Sequence, residues 1–259
     1  MSRQLVTVVI PAYLAEPSDL EKISLTQILA VLHKHPITFM VPTELDTTWY
    51  EDFCRGKAEV HIERFDWKGH EAYGELLLSP EYYQRFAKYE YMLVHHMDSF
   101  VFRDELEKWC RMGYDFLSAV IFHPQWTAIV DQPFRKAIGF GAPEYFGNGG
   151  FALKKIDTFH RITSKYKFYI KLYNWIRRRR KKQLLEDLFV MQHFPKLSKF
   201  KVPAKTLAQK FGAEYVEWEE QDLPFTNKNI NSLPFGIHGW IQFHQDFWRP
   251  SIRQFGYSV

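Results

Sequence analysis

Short apolar, β-branched runs alternate with segments of helical spacing along the first half of the chain. Leu5 to Ile10 is one such run and stops at Pro11, which suits a strand buried on both faces. From Asp19 to His35, apolar residues at Leu20, Ile23, Leu25, Ile28, Leu29 and Leu32 keep close to a 3.6-residue period and predict a helix. Ile37 to Val41, closed by Pro42, predicts a second strand, and the alternation of Ala58 to Ile62 a third. Tyr73 to Phe86 reads as helix broken at Ser79-Pro80. A strand over Tyr89–His96, a short helix over Leu106–Met112 and a strand over Phe116–Phe122 follow. This rhythm is that of an α/β fold with a largely parallel sheet. Ligands of such sheets bind beyond the carboxyl ends of the strands. The loops after Ile10, Ile62 and Met97 are therefore expected on one rim.

The second half is less regular. It holds a glycine-rich turn at Gly147–Gly150, a basic helix around Phe168–Phe194, and a tail rich in Pro, Asn and Trp. No composition break separates the halves, so a single domain over residues 1–259 is expected.

Composition narrows the class. Of 259 residues, 46% are hydrophobic and 25% charged, too apolar for a disordered chain. The two cysteines, Cys54 and Cys110, lie far apart with no CxxC or Cys/His spacing, which argues against a disulfide framework or a zinc finger. The run from Leu5 to Ile10 is too short for a signal-peptide core, and nothing approaches the ~20 apolar residues of a membrane span. The expectation is a cytoplasmic protein, soluble or peripheral on the inner face of the membrane.

The net charge of +4 hides an asymmetry. Residues 1–150 carry 14 basic and 21 acidic side chains, and residues 151–259 carry 20 and 9. Six of the latter basics form one run, Arg177 to Lys182. Tyr169, Leu172, Tyr173, Trp175 and Ile176 precede it, a pattern that suits an interfacial helix on an anionic membrane. A solvated helix face explains the run equally well. Nucleic acid is not expected, because no known binding motif accompanies it.

Four places carry candidate chemistry. Asp98 ends an apolar strand, where a carboxylate holds a divalent cation or a ribose hydroxyl, or else caps a turn. Asn148, Gly149 and Gly150 belong to a turn that permits positive φ and close approach of backbone to a ligand, or that simply joins two strands. Glu186 and Asp187 interrupt an apolar run. Neighbours on a helix diverge by ~100°, so one of them faces apolar surroundings and needs either a partner, such as Lys181 or Lys182, or a task such as general base. His238, between Gly236 and Gly239, has an open imidazole suited to a metal or phosphate, or is a structural histidine.

Taken in order, the segments Val8–Tyr13, Tyr73–Ser79, Tyr89–Phe102, Trp109–Asp115, Gly147–Phe151, Glu186–Phe189 and Leu233–Trp240 resemble a mainly bacterial domain-of-unknown-function family of sugar transferases of the GT-A type. The resemblance spans about Val8 to Trp248. It implies a GT-A-like, Rossmann-like α/β domain with a mostly parallel central sheet flanked by helices. About residues 1–115 would bind the nucleotide sugar, and about 116–259 the acceptor. It implies a nucleotide-diphosphate sugar donor, UDP-linked, and a glycan or lipid-linked acceptor. Pro11, Ala12 and Tyr13 would hold the nucleoside, with Arg64 or Asp66 contacting the base. Asp98 and Ser99 fall where such enzymes place an Asp-x-Asp motif, with Phe100 in place of the second acid. A cation of the Mn or Mg type would be held by Asp98, His238 and diphosphate oxygens; otherwise cationic side chains would do that work. Asn148, Gly149 and Gly150 would lie under the sugar, and Trp240 would line the acceptor or close over the diphosphate. Glu186 and Asp187 resemble the acidic pair of inverting members, with Asp187 as base.

Two other readings compete. One is a non-catalytic anion-binding module using the basic helix. The other is a sugar nucleotidyltransferase, against which the loop Pro11–Pro17 speaks: it has neither the glycines nor the basic residue such enzymes use there.

Overall fold

The computed structural model describes residues 3–122, 144–215 and 223–259. The chain begins with β1 (Gln4–Pro11), α1 (Asp19–Leu32), β2 (Ile37–Pro42), α2 (Thr48–Cys54), β3 (Val60–Phe65), α3 (Gly69–Leu77), α4 (Pro80–Arg85) and β4 (Tyr89–His95). Then come β5 (Phe100–Val101), α5 (Leu106–Arg111), β6 (Phe116–Phe122), β7 (Gly147–Lys155), α6 (Ile156–Lys165), α7 (Lys167–Arg179) and α8 (Glu186–Leu197). The last elements are α9 (Lys205–Phe211), β8 (Gly212–Tyr215), β9 (Gly236–His238) and α10 (Gln245–Arg253).

Among the described residues the strands form one sheet in the order β3-β2-β1-β4-β7-β6-β8-β9-β5. Only β7 and β5 run against the rest, so the sheet is mostly parallel. Both faces are covered. Val8, Ile10, Phe39 and Leu93 pack into one hydrophobic cluster, while Val9, Met40, Met92 and Val94 point into the other. This two-sided burial is why the strands read as continuous apolar runs. Each such side chain stabilises the fold by roughly 1.5–3 kcal/mol on burial.

Local chemistry sets the element ends. Ser18 and Glu21 form a capping box at the start of α1, with the Ser18 N–H donating to Glu21 Oε2 at 2.8 Å. Ser79 caps α4 and Pro80 occupies its first turn, so the expected break before Pro80 is present. The third strand runs on past Ile62 to Phe65, because β2 supplies a partner as far as Pro42.

Two expectations change. The glycine-rich segment is the start of strand β7, not a turn, and none of its glycines has positive φ. The expected single basic helix is two, α7 and α8. Lys181, in the left-handed region at φ 52°, ends the first before the second begins. Cys54 and Cys110 are free and buried. No helix among the described residues is long and apolar enough to cross a membrane.

Candidate active site

The carboxyl ends of β1, β3, β4 and β9 meet at one rim, joined by the amino end of the antiparallel β7. His96 directly follows β4, and its N–H donates to the Gly150 carbonyl at 2.7 Å, which extends the β4–β7 ladder. Asp98 lies two residues on, so His96 and Asp98 stand in an i, i+2 relation. Phe100 pairs with Ile237 in the β5–β9 ladder, and the Trp240 N–H donates to the Asp98 carbonyl at 3.2 Å. These backbone bonds bring His238 to Asp98.

One ligand atom from each of His96, Asp98 and His238 lies within 4.8 Å of the others. Gly150 permits this approach: a Cβ there would stand 2.1 Å from His238 Nε2 and 2.7 Å from His96 Nδ1. Both imidazoles are oriented from behind. His238 Nδ1 bonds to Glu214 Oε2 at 2.8 Å, and His96 Nε2 bonds to the Tyr73 hydroxyl at 2.9 Å. In the tautomer whose Nε2–H donates to Tyr73, the His96 Nδ1 lone pair faces the cluster. Such backing partners fix the tautomer of a ligating imidazole.

The electrostatics are those of a site prepared for positive charge. Burial pulls His238 down, but Asp98 and Glu214 outweigh it and hold the imidazole at about 9. His96 is instead pushed down to about 3, by burial and by the neighbouring His238. His238 Nε2 is buried without a hydrogen-bond partner, 3.3 Å from Asp98 Oδ1. An orphaned imidazole nitrogen facing a carboxylate and a second imidazole fits a divalent cation.

A carboxylate pair stands next to this cluster, at the first turn of α8. Asp187 accepts from the Gly149 N–H at 3.1 Å and from its neighbour Leu188 at 2.7 Å. Glu186 is buried and bonds the fully buried Lys154 at 2.9 Å, not Lys181 or Lys182. Burial raises both carboxyls above their ordinary range. Lys154 opposes the shift at Glu186, and the two backbone N–H groups oppose it at Asp187.

The other expected residues divide. Pro11 and Ala12 are buried at the end of β1, while Tyr13 is exposed, its ring edge-on to Trp67 at 6.5 Å. Asp66 is exposed just beyond β3. The Arg64 guanidinium is committed to the loop after β2, donating to the carbonyls of Thr43 and Leu45. Ser99 is buried and donates to the Gly150 carbonyl, and Asn148 Oδ1 accepts from the Gly150 N–H at 2.6 Å. Phe100 belongs to the core, against Phe102 and Trp240. Trp240 is fully buried, its indole N–H donating to Ser24 Oγ at 2.8 Å, so it lies beneath the rim and not over it. The basic run is not six free charges either: Arg177 pairs with Glu71 at 2.5 Å, and Arg178 bonds Glu75.

Sequence reasoning missed His96, Tyr73, Glu214 and Lys154. His96 carried no periodic signal, because β4 ends at His95 and the Ser99 N–H closes a turn onto the His96 carbonyl. Among the described residues, the group that could hold a metal ion is His96, Asp98 and His238, while Phe100 lies in the core.

Residues 59–238 match the family described as "Protein of unknown function (DUF5672)". The chain belongs to that family. No curated protein matches the sequence. Among solved structures, this DUF5672 chain is similar to mouse xyloside xylosyltransferase 1 in its apo form, with a TM-score of 0.56 and 12% identity over 90% of this chain and 97% of that one. It is similar to an active-site mutant of LgtC, with a TM-score of 0.53 and 15% identity over 90% and 86%. It also matches the WbbM bifunctional glycosyltransferase, with a TM-score of 0.52 and 13% identity, over 91% of this chain but 45% of that longer one. The DUF5672 domain seen here therefore has the GT-A fold.

Proposed function

We propose that this protein is a glycosyltransferase that moves a sugar from a UDP-linked donor to a hydroxyl of a glycan acceptor. The observation that carries this reading is the convergence of His96, Asp98 and His238 at the carboxyl rim, with Asp187 beside it. A divalent cation held by the three ligands would neutralise the leaving diphosphate. The protein's own groups do the rest. Pro11, Ala12 and Tyr13 receive the nucleoside, with Trp67 backing the Tyr13 ring and Asp66 beyond it. Ser99 and Asn148 brace the Gly149–Gly150 strand under the sugar. Tyr73 and Glu214 keep both imidazoles turned toward the diphosphate.

Asp187 is the base in this reading. Its raised pKa brings it closer to that of a group able to take a proton at neutral pH. It takes the acceptor hydroxyl proton as that oxygen bonds to the anomeric carbon. The bond from that carbon to the diphosphate oxygen breaks, and its electron pair leaves with the diphosphate. Attack opposite the leaving group inverts the anomeric centre. Glu186, tied to Lys154, is a positioning residue.

Titration calorimetry with UDP and manganese tests the site. Binding is expected, and Asp98→Ala or His238→Ala should weaken it roughly tenfold or more. A panel of nucleotide sugars with product detection identifies the donor, and the product's anomeric configuration by NMR tests the inverting role of Asp187. If no nucleotide diphosphate or nucleotide sugar binds, with or without manganese, the reading fails.

A further inference from the structure

The outer face of α7 carries an apolar stripe that the fold does not use. Phe168, Leu172, Trp175 and Ile176 are 80%, 43%, 52% and 39% exposed. Their spacing, i, i+4, i+7 and i+8, places them along one side of the helix. Ile170, Asn174 and Arg177 occupy the opposite, buried side. Two large rings and two branched aliphatic side chains along one helix are more than scattered surface apolarity.

The surroundings of the stripe are wholly basic in sequence. Residues 158–185 contain ten Lys or Arg and no Asp or Glu. Glu71, Glu75 and Glu81, from α3 and α4, reach across to Arg177, Arg178 and Lys167. Lys171 and Arg179 lie beside the apolar stripe, and Arg180, Lys181 and Lys182 continue past its end. Arg179 is positioned over the Trp175 ring, 4.5 Å from its centroid.

We infer that α7 docks the protein on an anionic phospholipid surface, with the stripe in the headgroup–acyl boundary and the flanking cations on lipid phosphates. Charge complementarity decides the occupant. An amphipathic helix with Trp and Phe on one side and Lys and Arg around it matches an anionic bilayer. A second copy of the chain would bring a like-charged segment against this one. A nucleic acid would use the cations and rings but gives Leu172 and Ile176 nothing to bury in. α7 leads through residues 180–185 into the Glu186–Asp187 end of α8. The inference does not require sugar transfer.

Cosedimentation with phosphatidylcholine vesicles, with and without phosphatidylglycerol, tests it. Partition onto the phosphatidylglycerol vesicles is expected, weakening as salt rises. The double variant Phe168→Ser/Trp175→Ser alters exposed side chains only and should melt as the parent does. Its partition should fall roughly tenfold or more, and that of Arg180→Gln/Lys181→Gln/Lys182→Gln by a similar factor. UDP binding by both variants should be unchanged. No partition at low salt overturns the inference, as does partition that the double variant leaves intact. A dimer in light scattering that the double variant dissolves, or retention of single-stranded RNA without vesicle binding, overturns it in favour of another occupant.

Discussion

In the proposed cation site, His96 changes which metal would be selected. Asp98 and His238 alone, completed by phosphate oxygens, make a mainly oxygen site suited to magnesium as much as to manganese. A second imidazole, backed by Tyr73, makes two nitrogens and one carboxylate. Imidazole suits cobalt and zinc; manganese also takes oxygen ligands but, unlike magnesium, is not held to its waters by reluctant dehydration. Manganese and cobalt should therefore bind the protein without any nucleotide, and magnesium should compete poorly. Cobalt binding should give visible absorption bands. His96→Asp should shift preference toward magnesium, raising its affinity relative to manganese by roughly an order of magnitude. Calorimetry with each metal checks this, and the shift fails if both proteins rank the metals alike. The site also shows what was readable at this scale. Asp98, His238, Gly150 and the Glu186–Asp187 pair stand out by local pattern. Glu214 does not, because its role comes from the parallel pairing of β8 with β9, across more than twenty residues of chain.

At the scale of elements, one buried ion pair ties the sheet to α8. Lys154 on β7 is fully buried, and its ammonium meets Glu186 at the first turn of α8. The pair's desolvation cost offsets most of its attraction, so its net contribution to stability is small. Removing one partner is different. Lys154→Met leaves Glu186 buried without a counter-charge, and should destabilise by about 3 kcal/mol at neutral pH. Adding Glu186→Leu should recover most of that loss, a coupling that urea melts of the two single variants and the double variant measure directly. If the losses simply add, the pair is not a unit. The strand that carries Lys154 was also the least legible element. Glycines at Gly147, Gly149 and Gly150 read as a turn because glycine weakens strands. What demands them is crowding from Ser118, the Glu186–Asp187 pair and the two imidazoles, which only the assembled sheet reveals.

At the scale of the molecule, the charge asymmetry resolves into contacts between the halves. The acidic half sends Glu71 and Glu75 to Arg177 and Arg178, so part of the basic run is neutralised within the fold. The alternation of strands and helices made the α/β class readable. These cross-half pairs were not, since nothing local tells Arg177, which is buried, from Arg180, which is exposed. The same burial gives the fold opposing responses to pH. Leu184's N–H and Arg177 outweigh desolvation and hold Glu71 below its ordinary pKa, so its contribution is present at neutral pH and is lost as acid protonates it. Asp187 behaves in the reverse sense. Its folded pKa is raised by burial, so its contribution is full below the unfolded value of about 4 and is lost as pH rises through the folded value. Asp187→Asn has no such ionisation. It gives up one acceptor, leaving the Gly149 or Leu188 N–H unpaired at a cost of about 1 kcal/mol. Relative to the parent, the variant should therefore be less stable near pH 4 and should close that gap, or reverse it, by pH 8. Urea melts across this range check the sign, while sugar transfer by the variant should be lost at every pH. A gap that widens with rising pH would mean that the Asp187 carboxylate is stabilised by the fold, and would remove it as a candidate base.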